Sequence, residues 1–183
     1  RFLVEKHFKC PVILFDYRYW GGSTGKPREL VSLSVQLEDW KTIIQYASNL
    51  KEIDKRRIVL WGTSLSGGYA LSLAADLKNI QAVMVQVPYV DGAETAKHYP
   101  LQRYPEALKC SSQDYMGSKM GLAATTLPVV DQYKLCFLPT SDSYYGYHSI
   151  VNPDYYWSGE VPARVFFNLM RYRPIQFVRK INI

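Results

Sequence analysis

Residues 30 to 49 carry Leu33, Leu37, Trp40, Ile44 and Ala47 at intervals of four, three, four and three. That spacing puts the apolar side chains on one face and predicts an amphipathic helix. The helix is bracketed by two unbroken apolar runs. "PVILFDY" before it and "RRIVLW" after it are rich in β-branched and aromatic residues, and both predict buried strands. A second helical face follows at Tyr69, Ala70, Leu73, Ala74 and Leu77. A third strand, "IQAVMVQVP", stops at Pro88. Residues 2 to 9 read as the end of a further helix. Strand, helix, strand, helix and strand with short links imply right-handed crossovers and a parallel sheet, hence an α/β fold.

The pattern changes near Tyr89. Eleven of the fifteen tyrosines lie from there on, and irregular links such as "FLPTSDSYYGYHSIVNPDYYW" replace the clear strands. One helix is marked, with Pro162 in its first turn, Val165, Phe166, Leu169 and Met170 on one face, and Pro174 as its stop. The expected organisation is a core over residues 1–90, a mainly helical cap or insertion over 91–173, and a return towards the core over 174–183.

Composition narrows the class only modestly. The 183 residues are 48% hydrophobic and 21% charged, which suits a single globular domain. No apolar run reaches the roughly 18 residues of a membrane span, so no span is expected. Cys10, Cys110 and Cys136 are scattered and odd in number, a pattern that favours a reducing, cytoplasmic setting over a disulfide framework. The net charge is +6, and after Glu160 five Lys or Arg residues occur with no acid. No aromatic–basic interleave accompanies them, so they read as a solvated face and no nucleic-acid partner is expected.

The chemistry concentrates in "IVLWGTSLSGGYALSLAADL", residues 58 to 77. A predicted strand meets Gly62-Thr63-Ser64-Leu65-Ser66 and a helix begins at once. This is nearly G-x-S-x-G, the tight turn that holds a nucleophilic serine at the C-terminal edge of a parallel sheet. Ser66 stands where the second glycine is usual, and Gly67 and Gly68 relieve the next positions. A helix start behind Ser64 favours an oxyanion, with the Leu65 backbone N–H as one donor. A shifted register would make Ser66 the nucleophile, but chain exit at Gly62 favours Ser64. The alternative is a plain helix start capped by Ser or Thr.

Three blocks, "VILFDYRYWGGSTGKPREL", "IDKRRIVLWGTSLSGGYALSLAA" and "IQAVMVQVPYVDG", together resemble the central part of an α/β-hydrolase. They are most similar to serine hydrolases related to Xaa-Pro dipeptidyl-peptidases and lysophospholipase-like esterases. The resemblance covers residues 1 to 93 well and the remainder loosely. It implies a Ser-His-Asp triad with Ser64 as nucleophile, and the chain order Ser, Asp, His. It also implies that the sequence corresponds to the middle of a hydrolase. The acid, the histidine and a second oxyanion donor would then lie beyond the residues given.

Candidate partners within the chain are few. His7 precedes the first predicted strand, at the wrong edge of the sheet. His98 and His148 lie in the cap, and a Ser64–Asp–His148 set, with Asp131 or Asp142 upstream, would keep the expected order. Asp91 follows the third strand near the edge that carries Ser64, although before Gly92 it also reads as a turn residue. Asp16 and Arg18 read as a structural pair beside the site. "GGSTGKP" is not a phosphate loop, because only three residues separate Gly21 and Gly25 and Pro27 follows Lys26. Neither a metal set nor a cofactor is indicated. Tyr19, Trp20, Gly21, Gly22 and Tyr89 are expected to contact a small-molecule or peptide acyl substrate. The tyrosines of the cap (Tyr89, Tyr144, Tyr145, Tyr147, Tyr155, Tyr156) would either line that pocket or simply pack the cap.

The resulting expectation is a serine hydrolase cleaving an ester, thioester or amide through an acyl-enzyme on Ser64. The alternative is a catalytically inactive hydrolase segment or interaction module, whose open sheet edges would invite self-association.

Overall fold

The computed structural model describes residues 10–151 and 157–183. The first amphipathic pattern forms helix α1, Leu33–Asn49, with Ile44 buried and Leu37 and Trp40 packed against the core. Strand β1, Ile58–Thr63, leads without a break into helix α2, Ser64–Asp76, and strand β2 spans Ile80–Gln86. β1 and β2 are parallel, from Ile58 opposite Ile80 to Thr63 opposite Gln86, with one register shift between Ile58 and Val59. Leu60 and Ile80 of these strands join Ile44, Ala70, Leu73 and Ala74 in one apolar cluster. The helical face expected at Tyr69, Ala70, Leu73 and Ala74 is therefore the buried one.

Two expectations need correction here. The run at residues 11–17 forms no strand. Its backbone stays off the sheet, and its aromatic side chains hold it to the helices. Phe15 meets Trp40 edge-on at 5.4 Å, and Tyr17 meets Tyr69 at 6.3 Å while accepting a hydrogen bond from Trp40 Nε1 at 2.7 Å. The apolar run does not enter a ladder: Phe15 and Tyr17 pack on helices, while Ile13 and Leu14 stay exposed. Pro162 likewise ends a strand instead of opening a helix. It closes β4, Glu160–Pro162, which pairs antiparallel with β3, Thr126–Pro128. The missing N–H of proline suits an edge position as well as a first helical turn. The helix begins later, as α6, Val165–Arg171. The predicted helix end at residues 2–9, with His7, lies outside the described residues, as do Tyr155 and Tyr156.

The remaining helices are α3, Gly92–Lys97, α4, Tyr104–Lys119, and α5, Ser141–Ile150. Asp114 of α4 is buried and acts as a bolt. Its carboxylate accepts from the backbone N–H groups of Thr125 and Arg164, at 3.0 and 2.9 Å, and faces Arg164 Nε at 3.4 Å. One side chain thus fixes the approaches to β3 and α6 against α4, and buried polar groups persist when satisfied in this way. The last residues return to the core, where Ile181 packs on the central cluster. One surface of the two-stranded sheet remains apolar and uncovered, with Val59, Trp61 and Met84 each about half exposed. No helix among the described residues is long and apolar enough to cross a membrane.

Candidate active site

The junction of β1 and α2 has the geometry that the sequence anticipated. Thr63 is extended, Ser64 has φ +50°, and the helix starts at Ser64 itself. A left-handed backbone is costly for a residue bearing a Cβ, on the order of 1–3 kcal/mol, and such residues gather at functional sites. The surroundings hold Ser64 there from both sides. Its carbonyl accepts from Tyr89 N–H at 2.8 Å, which ties the exit of β2 to the turn. Gly62 lies so close to the first turn of α2 that a Cβ would overlap the Ser66 carbonyl. Gly68 does the same against the Tyr89 carbonyl, letting α2 lie flat on the segment after β2.

Ser66 explains how the turn dispenses with its second glycine. Its hydroxyl accepts from Thr63 N–H at 3.0 Å and donates to the Thr63 carbonyl at 2.8 Å. The side chain folds back into the turn as one half of a capping box. Its donor and acceptor are both occupied there, whereas Ser64 is exposed at the cavity wall. The two registers left open by the sequence are thus occupied differently, one hydroxyl in the cap and the other at the rim.

Ser64 and Leu65 open onto a cavity of about 480 Å³. Trp20 and Val31 enter it from the glycine-rich loop and Tyr89 from the exit of β2. The opposite wall is built by Val129, Phe137 and Leu138 around β3, by Val161 of β4, and by Val165 and Leu169 of α6. Tyr147, Ile150, Val151 and Trp157 complete it, with Tyr147 and Trp157 stacked at 5.9 Å. No histidine, carboxylate, lysine or arginine lines this space among the described residues. Burial pushes the Tyr89 hydroxyl up to about 12 and also raises Tyr147, so both phenols are neutral near pH 7. Tyr89 O–H donates to the Leu169 carbonyl at 3.1 Å.

Among the residues singled out from sequence, Ser64, Leu65, Trp20, Tyr89 and, of the cap tyrosines, Tyr147 meet at this cavity. Tyr19, Gly21 and Gly22 stand behind its wall. Gly22 N–H donates to the Asp16 carboxylate at 2.9 Å, and a Cβ on Gly21 would overlap that carboxylate. These glycines serve the loop that carries Trp20, whose Nε1 donates to the Leu30 carbonyl at 2.9 Å. Asp16 and Arg18 brace that loop separately, since Arg18 binds Asp39 and Glu38 of α1. Asp91 caps α3 through Glu94 N–H at 3.1 Å and takes a two-point ion pair from Arg173, at 2.9 and 2.7 Å. The Arg173 guanidinium holds its carboxyl below the usual carboxylate range. His148 is exposed on α5, its Nδ1 2.8 Å from the Tyr144 carbonyl and its ring 4.2 Å from that of Tyr144. The residues that sequence reasoning missed are the wall of Val129, Phe137, Leu138, Val161 and Trp157. Val165 and Leu169 were visible in the pattern, but as one side of a helix.

Comparison with solved structures decides the fold. An α/β hydrolase, GrgF from Penicillium sp. sh18, superposes with a TM-score of 0.75 over 92% of this chain and 57% of its own, at 19% identity. The chain has the α/β-hydrolase fold. The family described as acetyl xylan esterase (AXE1) matches residues 26–109 of this chain, the stretch that contains the β1–α2 turn. The quorum-quenching protein AidA of Acinetobacter baumannii is 34% identical over 95% of the chain, which spans 57% of AidA. The thiohydrolase aneE of Aspergillus aculeatus is 24% identical over 93% of the chain, which spans 56% of aneE. The chain thus spans just over half the length of these relatives.

Proposed function

We propose that the chain carries the nucleophile of a hydrolase of ester-type bonds, acting through an acyl-enzyme on Ser64. The observation that carries this assignment is the left-handed backbone of Ser64 at a strand–helix turn, with its side chain at a cavity. A capped helix start alone has no need of that strain. The hydroxyl attacks the acyl carbon, its proton passes to a base, and the Leu65 N–H at the start of α2 donates to the developing oxyanion. The bond to the alcohol or thiol breaks and the leaving group takes up the proton. Water then releases the acid and frees Ser64. We assign the base and its orienting acid to residues other than those lining the cavity. Ester-type bonds are favoured over peptides by the esterase family that matches the turn and by the thiohydrolase among the relatives.

A catalytically silent segment is the second function, and one observation favours it: the described cavity wall contains neither histidine nor carboxylate. Rapid-mixing kinetics of the full-length protein with a 4-nitrophenyl ester separate the two. An initial burst of nitrophenol, stoichiometric with protein, is expected from an acyl-enzyme. A folded protein with no turnover and no burst supports the silent segment.

A further inference from the structure

From the chemistry of the cavity wall we infer that the acyl group accepted at Ser64 is an uncharged aliphatic or aryl-aliphatic chain of medium length, bound by apolar burial alone. This rests on the assignment of Ser64 as nucleophile and adds the substrate class. Ser64 is one of the residues that line the cavity, so a chain attached to the acyl carbon has this space beside it. Its wall includes Val161 and Val165, which are 4% and 1% exposed, and Ile150, which is 76% exposed. An apolar cavity that has the reacting residue and buried valines on its wall can receive the chain attached to the carbonyl carbon.

The wall offers little to a polar group. A sugar or a charged head entering it would lose its water and find only phenol and serine hydroxyls and indole N–H groups among the lining side chains, with no ionic partner among the described lining residues. The Tyr89 hydroxyl is already donating to the Leu169 carbonyl. Both phenols are neutral, so the described lining residues provide no anion to attract a cationic acyl group. A volume of about 480 Å³ falls in the range of sites that enclose small organic ligands, far more than an acetyl group fills. Each methylene buried in such a space raises kcat/KM by about fourfold until the cavity is full.

The test uses the full-length protein and 4-nitrophenyl esters of acetate, butyrate and octanoate, together with the hexanoate ester and the mono-ester of hexanedioate. The inference predicts a kcat/KM at least tenfold higher for octanoate than for acetate, and at least tenfold lower for the hexanedioate than for the hexanoate. Leu169 is half-buried on the wall, so Leu169→Trp fills the cavity and should cut the octanoate-to-acetate ratio at least tenfold. Equal rates for all chain lengths, or a preference for acetate or for the charged chain, overturn the inference while leaving Ser64 as nucleophile. Binding to Ser64→Ala protein, read by calorimetry with octanamide and acetamide, separates the two assignments. If no ester is turned over but octanamide binds and acetamide does not, the nucleophile assignment fails and the apolar site stands. If octanamide does not bind either, the inference falls.

Discussion

Replacing Ser64 by alanine in the full-length protein should lower ester hydrolysis by about 10⁴-fold or more, as loss of an activated nucleophile does. The fold should survive, because the side chain is exposed and the hydroxyl that closes the turn belongs to Ser66. A second substitution gives this result its physical meaning. Ser64→Gly should be equally inactive yet more stable than the parent by about 1 kcal/mol, because glycine adopts φ +50° without the Cβ penalty. Activity lost and stability gained at one position identify strain retained for function. Urea denaturation and ester hydrolysis on the same three proteins provide both readings.

Gly62→Val should have the largest structural effect. A Cβ at this position overlaps the backbone of Ser66 and Gly67, which cannot move aside as a flexible side chain would. The first turn of α2 must shift, and with it Ser64, Leu65 and the Ser66 cap. We expect a loss of about 3 kcal/mol, at the upper end of overpacking, together with loss of hydrolysis. Gly146→Ala is the matched control. That glycine sits on α5 with nothing near its missing Cβ, so the change should be neutral or stabilising by up to about 1 kcal/mol. Denaturation midpoints of the two variants against the parent measure the difference.

The parts of the fold that sequence made legible are those that short-range periodicity dictates. The apolar faces of α1 and α2 recur at helical spacing, and the runs of β1 and β2 are bounded by breakers, so local pattern and tertiary burial agree. The turn at Ser64 was legible for the same reason: strand, small residues and helix follow one another within a few positions. The segment at 11–17 misled because an apolar run carries no information about what buries it. Its aromatic rings pack on Trp40 and Tyr69 instead of entering a ladder. Pro162 misled because a missing N–H suits either a strand end or a helix start.

The cavity was legible in part, with Tyr147 foreseen only as one of several tyrosines of the cap. Trp20, Ser64, Leu65 and Tyr89 follow the strands or the glycine loop, whose ends sequence can locate. Val129, Phe137 and Leu138 lie in an irregular stretch with no period, and Trp157 reaches the site only through its stacking on Tyr147. Their convergence depends on contacts such as Asp114 with Thr125 and Arg164, which join residues up to 50 positions apart. Tyr19, Gly21 and Gly22 were expected at the substrate because the glycine-rich turn follows a predicted strand at the sheet's C-terminal edge. In the fold they shape the loop around Asp16, and Trp20 alone reaches the space beyond.

The most direct measurement is reaction of the full-length protein with a fluorophosphonate, followed by peptide mass spectrometry of residues 58–77. Our account predicts a single covalent adduct on Ser64, absent from Ser64→Ala and retained in Ser66→Ala. An adduct on Ser66, or a folded and ester-hydrolysing protein with no adduct on this peptide, would contradict it.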